Sequence, residues 1–165
     1  MKKPIIYIDL DGVLADFKTA YDKLVIEFRE LNFTELKPED EVNFEKMKPM
    51  PDAISSFIYL SKKYDVFIAS TAPWDNPEAW QQKREWVDAH LGKHANRRLI
   101  LTHRKDLLIG DFLIDDRTAN GAGDFQGKLI QFGTPEFPNW VAVINYFIFN
   151  AEKIKSRTNH TDKDF

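Results

Sequence analysis

Two pairs of aspartates, each placed after a short apolar run, are the residues of this sequence best suited to chemistry. Short apolar runs of this kind are typical of buried strands in a parallel sheet. The carboxyl ends of such strands meet at one edge, and ligands bind there. The sequence therefore predicts four carboxylates at one edge of a sheet. They are Asp9 and Asp11 after residues 5–8, and Asp115 and Asp116 after residues 112–114.

Four carboxylates in a partly desolvated cluster repel one another, so they need either raised pKa values or a bound cation. A site made only of oxygen ligands suits Mg²⁺. We therefore predict a Mg²⁺ site formed by Asp9, Asp11, Asp115 and Asp116. Asp111 opens the strand that Asp115 closes, and at ~3.3 Å per residue it lies about 13 Å away. We interpret Asp111 as structural.

Small and hydroxyl residues at the ends of the predicted strands are candidates for binding an anion. Gly12 follows the first aspartate pair and is predicted to let the backbone approach an anion closely. Ser70 and Thr71 follow a predicted strand over residues 66–69, where a hydroxyl can hold a phosphate oxygen. Asp-Gly and hydroxyl residues are also common in turns, so each of these signals is weak by itself.

Two lysines are placed where an anion could meet them. Lys105 follows a predicted strand over residues 99–101; alone it would be an ordinary loop cation, but beside a carboxylate cluster it can neutralise a phosphoryl group. Lys83 lies on the apolar stripe of a predicted helix. A lysine on an inward face is unusual unless its amine reaches an anion.

Two aromatic residues closely follow these polar segments. Phe17 comes six residues after Asp11, at the start of a predicted helix, and Trp74 comes shortly after Thr71. Most aromatic residues belong to the core, but these two are candidates for contact with an organic leaving group.

Length and composition restrict the class of protein. A chain of 165 residues suits one domain with a small insertion. A net charge of −3 argues against a nucleic-acid polymer and favours a small anion as the partner. No apolar stretch approaches the ~20 residues that span a bilayer, and the first apolar run leads into Asp9, unlike a signal peptide. The absence of cysteine excludes a disulfide. We expect a cytoplasmic enzyme that does not bind membranes.

The alternation of strands with helices predicts an α/β fold, with a mainly parallel five-stranded sheet flanked by helices and right-handed crossovers. The helices are predicted near residues 16–31, 52–63, 76–91 and 139–149, and the fifth strand over residues 129–132. Residues 1–16 and 50–150 are predicted to form the core, and residues 17–49 a small cap insertion after the first strand. The polar residues 151–165 are predicted to fray.

The order of these parts resembles the haloacid dehalogenase (HAD) superfamily of phosphatases. Its four motifs match Asp9-Leu10-Asp11-Gly12-Val13, Ser70, Lys105 and Asp115-Asp116. Residues 9–17, Lys83 with residues 86–92, and residues 110–116 are further similar to the 5′(3′)-deoxyribonucleotidase branch. The similarity covers most of residues 5 to 132, except that segment 17–49 is shorter than the helical cap of the animal enzymes.

This resemblance implies a Rossmann-like HAD core and an Mg²⁺-dependent phosphomonoesterase acting on (deoxy)nucleoside monophosphates. Asp9 would be the nucleophile and Asp11 the general acid and base. Mg²⁺ would be held by Asp9, the Asp11 carbonyl and Asp116, with Asp115 as a direct or water-mediated partner. Ser70, rather than Thr71, would hold the phosphate with Lys83 and Lys105, and Phe17 would stack on the base.

Three other interpretations stay open at this point. One is a HAD phosphatase for another small phosphomonoester, such as a sugar phosphate. A second is a receiver-like signalling domain, which would need its phospho-acceptor on a middle strand, whereas the predicted middle strands end in Ser70 and Thr102. The third is a non-catalytic module that binds a phospho-ligand. A homodimer also remains open.

Overall fold

The computed structural model describes residues 3–31 and 41–158. The strands are β1 (Ile5–Ile8), β2 (Asp65–Ser70), β3 (Leu99–Leu101), β4 (Phe112–Asp115) and β5 (Lys128–Gln131). The helices are α1 (Phe17–Glu30), α2 (Ala53–Lys63), α3 (Pro77–His90), α4 (Trp140–Phe149) and α5 (Ala151–Thr158). Single 3₁₀ turns occur at Phe44–Lys46, Gly92–His94, Lys105–Leu107 and Ala122–Asp124. None of the described helices is both long and apolar enough to cross a membrane.

The five strands form one sheet in the order β3-β2-β1-β4-β5, and every described pairing is parallel. The predicted α/β fold with a five-stranded sheet is confirmed. The chain builds outward from β1 through β2 and β3, then crosses to the other side for β4 and β5. Ile8 pairs with Ile114, so the residues that follow β1 lie beside the end of β4. This crevice is the topological switch point, where ligands of open α/β sheets bind.

The position of β1 differs from what its place in the chain suggests. The first strand in the chain is the central strand in space, so Asp9 does follow a middle strand. The argument from chain order against a receiver domain was therefore wrong. Strand order still separates the two folds, because flavodoxin-like receivers have the order 2-1-3-4-5.

The two faces of the sheet are covered differently. Ile6 and Ile8 point to a face that packs against Phe57 of α2, Trp86 of α3 and other apolar side chains of the helices. On the opposite face, Tyr7 and its neighbours pack against Ala122, Phe125 and Leu108, which lie in short connections. Among the described residues, the connections after β3 and β4 contain only single 3₁₀ turns. The α-helices that pack on the sheet therefore lie mainly on one face.

The boundaries of α3 follow the predicted capping chemistry. The Asn76 side chain accepts a hydrogen bond from the Ala79 amide, 3.2 Å away, and Pro77 occupies the first helical position. Gly92 follows the helix with a φ of 49°. This helix is important for the site because it carries Lys83.

The segment predicted as a cap leaves and rejoins the core at one place. Ala15 pairs with Pro49 in an antiparallel bridge, and the Met50 amide donates to the Leu14 carbonyl over 2.8 Å. Between these points, α1 contains no fully buried residue. Residues 32–40 of the predicted cap lie outside the described residues, and the domain boundaries stay a prediction.

The C-terminal segment differs from its prediction. Residues 151–158 form α5 instead of a frayed tail, because Ile154 packs into the main core and is 5% exposed. One apolar residue in a polar stretch gave little signal of this packing. The rest of the predicted tail, residues 159–165, lies outside the described residues.

Asp111 has a structural contact, as predicted. Its carboxylate accepts a hydrogen bond from the Ile5 amide over 2.8 Å at the start of β1. This contact lies at the end of the sheet opposite to the paired aspartates. Asp111 thus joins the beginnings of β1 and β4.

Candidate active site

The loop after β1 is held in place from three directions. The Asp9 amide donates to the Ile114 carbonyl of β4 over 2.8 Å. The Leu10 carbonyl accepts from the Leu14 amide over 2.9 Å, which closes a tight turn. The Trp140 indole of α4 donates to the Val13 carbonyl over 2.8 Å. Asp9 and Asp11 are therefore presented at the sheet edge by a well-anchored turn.

Three carboxylates converge at the crevice between β1 and β4. Asp9, Asp115 and Asp116 each offer an oxygen, and these oxygens lie within 4.8 Å of one another. The buried Oδ1 atoms of Asp11 and Asp116 have no hydrogen-bond partner among the described residues. Buried oxygens normally have partners, so the Asp116 atom fits the ligand requirements of a hard cation, whereas the Asp11 carboxylate is not part of this group of three. The chemistry of this donor set fits a metal ion.

Lys105 bridges two of these carboxylates from below the surface. Its Nζ lies 2.9 Å from Asp9 Oδ1 and 2.5 Å from Asp115 Oδ2. Burial alone would lower the pKa of Lys105, but the two carboxylates outweigh burial and raise it above its ordinary value. Lys105 is therefore a buried, charged ammonium that contacts the candidate nucleophile.

Lys83 is fully buried on α3 and points into the same site. Its ammonium is paired with Asp11 Oδ2 and lies 3.2 Å from Ser70 Oγ. It also lies 4.3 Å from the centroid of the Phe44 ring. Lys83 therefore points inward and its ammonium reaches the Asp11 carboxylate, while its predicted contact with a phosphate stays a prediction.

The protonation of the carboxylates reflects their burial. Burial raises the pKa of Asp11, the charge of Asp9 adds to this, and Lys83 opposes it. Burial and the charge of Asp9 also raise the pKa of Asp115, against the influence of Lys105. Burial, together with the charge of Asp9, raises the pKa of Asp116 to about 6, against the influence of Arg117. Without a bound cation, the site therefore retains protons more strongly than isolated aspartates do.

Gly12 is required at its position for two reasons. Its φ is +77°, which favours glycine, and a Cβ atom there would lie 2.5 Å from Asp116 Oδ2. The anion that the Gly12 backbone approaches in this structure is thus the Asp116 carboxylate. The predicted contact of Gly12 with phosphate stays a prediction.

Ser70 and Thr71 have different partners. Ser70 is buried and its Oγ is hydrogen-bonded to Lys83. The Thr71 hydroxyl donates to the Thr102 carbonyl over 2.8 Å, while the residue lines the small cavity in front of Asp9. The structure brings both hydroxyl residues to the site, and the choice between them as phosphate ligand stays a prediction.

The two aromatic candidates are in contrasting surroundings. Phe17 is half-buried, and its ring packs nearly parallel to Tyr21 and Phe44, with centroid distances of 5.8 and 6.1 Å. Trp74 is 76% exposed and contacts Trp80 and His103 through edge-to-face packing. Trp74 therefore presents more open aromatic surface than Phe17 does.

Several residues around the site were not predicted from the sequence. Arg117 and Asn120 line the cavity together with Asp9 and Lys105. The Arg117 amide donates to Asp115 Oδ1 over 2.9 Å, and its position directly after Asp116 could have identified it. Phe44 contacts Lys83, but it lies among scattered apolar residues in a polar segment, which gave no signal.

A larger groove of about 460 Å³ lies away from the carboxylates, between α1 and residues 41–48. Its lining includes Lys23, Glu27 and Lys46, but none of the clustered aspartates. The chemistry of the protein is therefore assigned to the small cavity, which three of the four aspartates line.

Comparison with known sequences gives a consistent set of relatives. The profile of the family described as "5' nucleotidase, deoxy (Pyrimidine), cytosolic type C protein" matches residues 39–140. A provisionally named 5'(3')-deoxyribonucleotidase of Vibrio phage KVP40 is 52% identical over 144 residues, which cover 87% of this chain and 84% of the phage protein. The human 5'(3')-deoxyribonucleotidase of cytosolic type is 28% identical over 143 residues, which cover 68% of this chain and 70% of the human protein.

Comparison with solved structures finds HAD-like hydrolases with the fold described above. A provisionally assigned HAD hydrolase of Bacillus subtilis, solved with bound magnesium, matches with a TM-score of 0.59 at 11% identity, covering 88% of this chain and 99% of that one. A haloacid dehalogenase-like protein of Streptococcus pneumoniae matches with a TM-score of 0.57 at 13% identity, covering 87% and 90%. At these identities the likeness shows the fold alone.

The contact between Gly12 and Asp116 generates a prediction. Gly12→Ala should lower the free energy of unfolding more than Gly133→Ala does, as measured by urea denaturation. Gly133 has a similar φ of +82° but no atom within 4 Å of the added Cβ, so it reports the backbone strain alone, about 1–3 kcal/mol. The difference between the two variants then measures the clash with Asp116. Equal losses of unfolding free energy in the two variants would contradict the close approach of Gly12 to Asp116.

Proposed function

Because this chain belongs to the 5'(3')-deoxyribonucleotidase family, we propose that it hydrolyses (deoxy)nucleoside monophosphates through an aspartyl-phosphate intermediate. The observation that carries the proposal is the placement of Asp9. Its carboxylate lies at the switch point, contacts Lys105, and shares the site with Asp11, the acid two residues further on. Nucleophile, acid and cation thus meet at one edge of the sheet.

The carboxylates in the crevice are suited to hold Mg²⁺. Asp9 and Asp116, with the Asp11 carbonyl, would be its ligands, and Asp115 would contribute directly or through water. The bound ion would neutralise negative charge on the nucleophile and the phosphate. The orphaned Oδ1 of Asp116 supports this assignment.

In the first step, the Asp9 carboxylate attacks phosphorus and forms a new O–P bond. The bond between phosphorus and the ester oxygen breaks, and Asp11 donates its proton to that leaving oxygen. The raised pKa of Asp11, caused chiefly by burial, favours the protonated form that this step needs. The organic product is an alcohol, namely the nucleoside.

In the second step, water attacks phosphorus while Asp11, now ionised, accepts the water proton. The Asp9–phosphorus bond breaks, which releases phosphate and restores both aspartates. The acid of the first step thus serves as the base of the second, and the carboxylates return to their starting state.

The phosphoryl oxygens would be held by Lys83, Lys105 and Ser70. Each lysine is buried and already contacts a carboxylate, so each presents a charge whose position is fixed before the substrate arrives. Pre-positioned charge is the main source of stabilisation in phosphoryl transfer. The hydrogen bond between Lys83 and Ser70 places both groups on the same side of the site.

The nearest alternative is a HAD phosphatase for another small phosphomonoester, since nothing in the catalytic residues selects the alcohol. The family relationship favours a nucleotide. Receiver domains have a different strand order. A non-catalytic binding module would not need a buried acid beside the nucleophile. We also propose a cytoplasmic location and, from the net charge of −3, no nucleic-acid polymer as partner.

The nucleophile assignment predicts that Asp9→Asn abolishes turnover of nucleoside monophosphates while the protein stays folded, because the change removes the attacking oxygen but little volume. The assay is phosphate release with Mg²⁺ from a panel of nucleotides and sugar phosphates. Circular dichroism reports folding. In the wild type, BeF₃⁻ should form an adduct on Asp9. Full activity of the variant, or an adduct elsewhere, would refute the mechanism.

The pKa of Asp116 predicts how Mg²⁺ binding depends on pH. The folded-state pKa of Asp116 is about 6, above its ordinary value. The protonated carboxyl therefore contributes to the free energy of unfolding at low pH, and this contribution is lost as the pH rises through about 6. Mg²⁺ requires the ionised carboxylate, so its stabilising effect should appear in the same range. The increase in melting temperature on adding Mg²⁺ should therefore be larger at pH 7.5 than at pH 5.

The control for this experiment is an Asp→Asn substitution outside the site. Asp116→Asn should remove most of the Mg²⁺-induced increase in melting temperature, whereas Asp124→Asn, at an exposed position, should retain it. If Mg²⁺ stabilised the wild type equally at both pH values, or if both variants behaved alike, Asp116 would not be a ligand.

If an aromatic ring stacks on the base, its removal should affect nucleotides more than sugar phosphates. Stacking on a base is worth about 1–3 kcal/mol, or roughly ten- to a hundredfold in affinity. Phe17→Ala should therefore lower kcat/KM for a nucleoside monophosphate by about this factor relative to ribose 5-phosphate. Trp74→Ala, tested in parallel, shows whether the exposed ring contributes as well. Equal effects of Phe17→Ala on both substrates would show that this ring does not contact the base.

A further inference from the structure

A short segment that returns from the cap packs against α3 directly beside the site. This return segment, residues 43–48, is fixed to the helix at three successive points. The Phe44 amide donates to Gln82 Oε1 over 2.9 Å, the Phe44 ring faces Lys83, and the Trp86 indole donates to the Met47 carbonyl over 2.8 Å. The return segment is thus part of the wall of the site, although it lies far from the motifs in sequence.

The Phe44 ring supplies an attraction that Lys83 otherwise lacks. An ammonium has three N–H donors, and the described residues give it two acceptors, Asp11 and Ser70. The ring centroid lies 4.3 Å from Nζ, within the range of a cation–π interaction. Both residues are almost completely buried, so this interaction is not screened by water. The ring therefore compensates part of the cost of burying the charge.

We propose that Phe44 is a positioning residue for phosphate binding, which acts by holding the Lys83 ammonium toward Asp11 and Ser70. The inference rests on the proposed function, in which Lys83 holds a phosphoryl oxygen. The Phe44 ring also packs against Phe17, at a centroid distance of 6.1 Å. One ring thus joins the phosphate-binding lysine to the first residue of α1.

Phosphate affinity tests this role without turnover. Orthophosphate binding to the Mg²⁺-loaded protein is measured by calorimetry, together with kcat and KM for p-nitrophenyl phosphate, whose leaving group barely needs an acid. Phe44→Leu, which keeps an apolar side chain but removes the π face, should weaken phosphate binding about tenfold and raise KM similarly. The change in kcat should be smaller.

Two matched variants separate positioning from packing. Phe57→Leu makes the same substitution at a fully buried core position on α2 and should lower stability without changing phosphate affinity. Replacement of Phe44 by 3,4,5-trifluorophenylalanine keeps the shape of the ring but weakens the negative charge of its face, so phosphate binding should weaken even if Phe44→Leu fails to fold. A double variant, Phe44→Leu with Lys83→Met, should bind phosphate no more weakly than Lys83→Met alone.

The outcomes distinguish the two proposals. If the wild type binds phosphate and hydrolyses phosphomonoesters, but the fluorinated ring has no effect, the role of Phe44 is refuted and the function stands. Equal losses of phosphate affinity in Phe44→Leu and Phe57→Leu would likewise refute the role of Phe44. So would additive losses of phosphate affinity in the double variant. If the wild type neither binds phosphate nor hydrolyses any phosphomonoester, the proposed function itself fails.

Discussion

Repulsion among four aspartates at the ends of two adjacent strands is the constraint to which the rest of the site responds. The sheet order brings the ends of β1 and β4 together, so both aspartate pairs occupy one crevice. Lys105 offsets Asp9 and Asp115, and Lys83 offsets Asp11. Among the described residues, the cation paired with Asp116 is Arg117, whose Nε is 3.9 Å away and whose side chain is largely exposed. Two buried ammonium groups thus face four carboxylates, and the remaining negative charge makes the crevice a favourable place for a cation.

The buried lysines impose a second requirement, because a desolvated ammonium needs partners on every side. For Lys105 the carboxylates are sufficient, and its pKa is raised. Lys83 has one carboxylate and one hydroxyl, and a ring from the return segment completes its surroundings. The protein therefore combines charge pairing with an aromatic face, and phosphate would meet ammonium groups that are already in place. Such preorganisation lowers the cost of reordering groups when the substrate binds.

Much of the site was predictable from the sequence because it depends on local pattern. Apolar runs ending in aspartate identified β1 and β4, and a lysine on an apolar helical stripe identified Lys83. Strand order in space was not encoded in this way, so the central position of β1 was missed. The contact of Phe44 with Lys83 was also not predictable from local pattern, because these two residues meet only through the packing of the return segment on α3. The burial of Ile154 in α5 similarly depends on a tertiary contact that a polar stretch does not reveal.

The hydrogen bonds that attach the cap segment to the core also help to position Asp11. The Asp16 amide donates to the Lys48 carbonyl over 2.8 Å, and the Met50 amide donates to the Leu14 carbonyl over the same distance. These bonds join the end of the return segment, and Met50 just after it, to the loop that carries Asp11. The same segment reaches Lys83, the partner of Asp11, through Phe44. The acid and its lysine are therefore both positioned by residues 43–50, while α1, which has no fully buried residue, remains accessible on the outside. An insertion attached in this way can vary its outer helix without disturbing the proton-transfer group, because the contacts that fix Asp11 lie at its base.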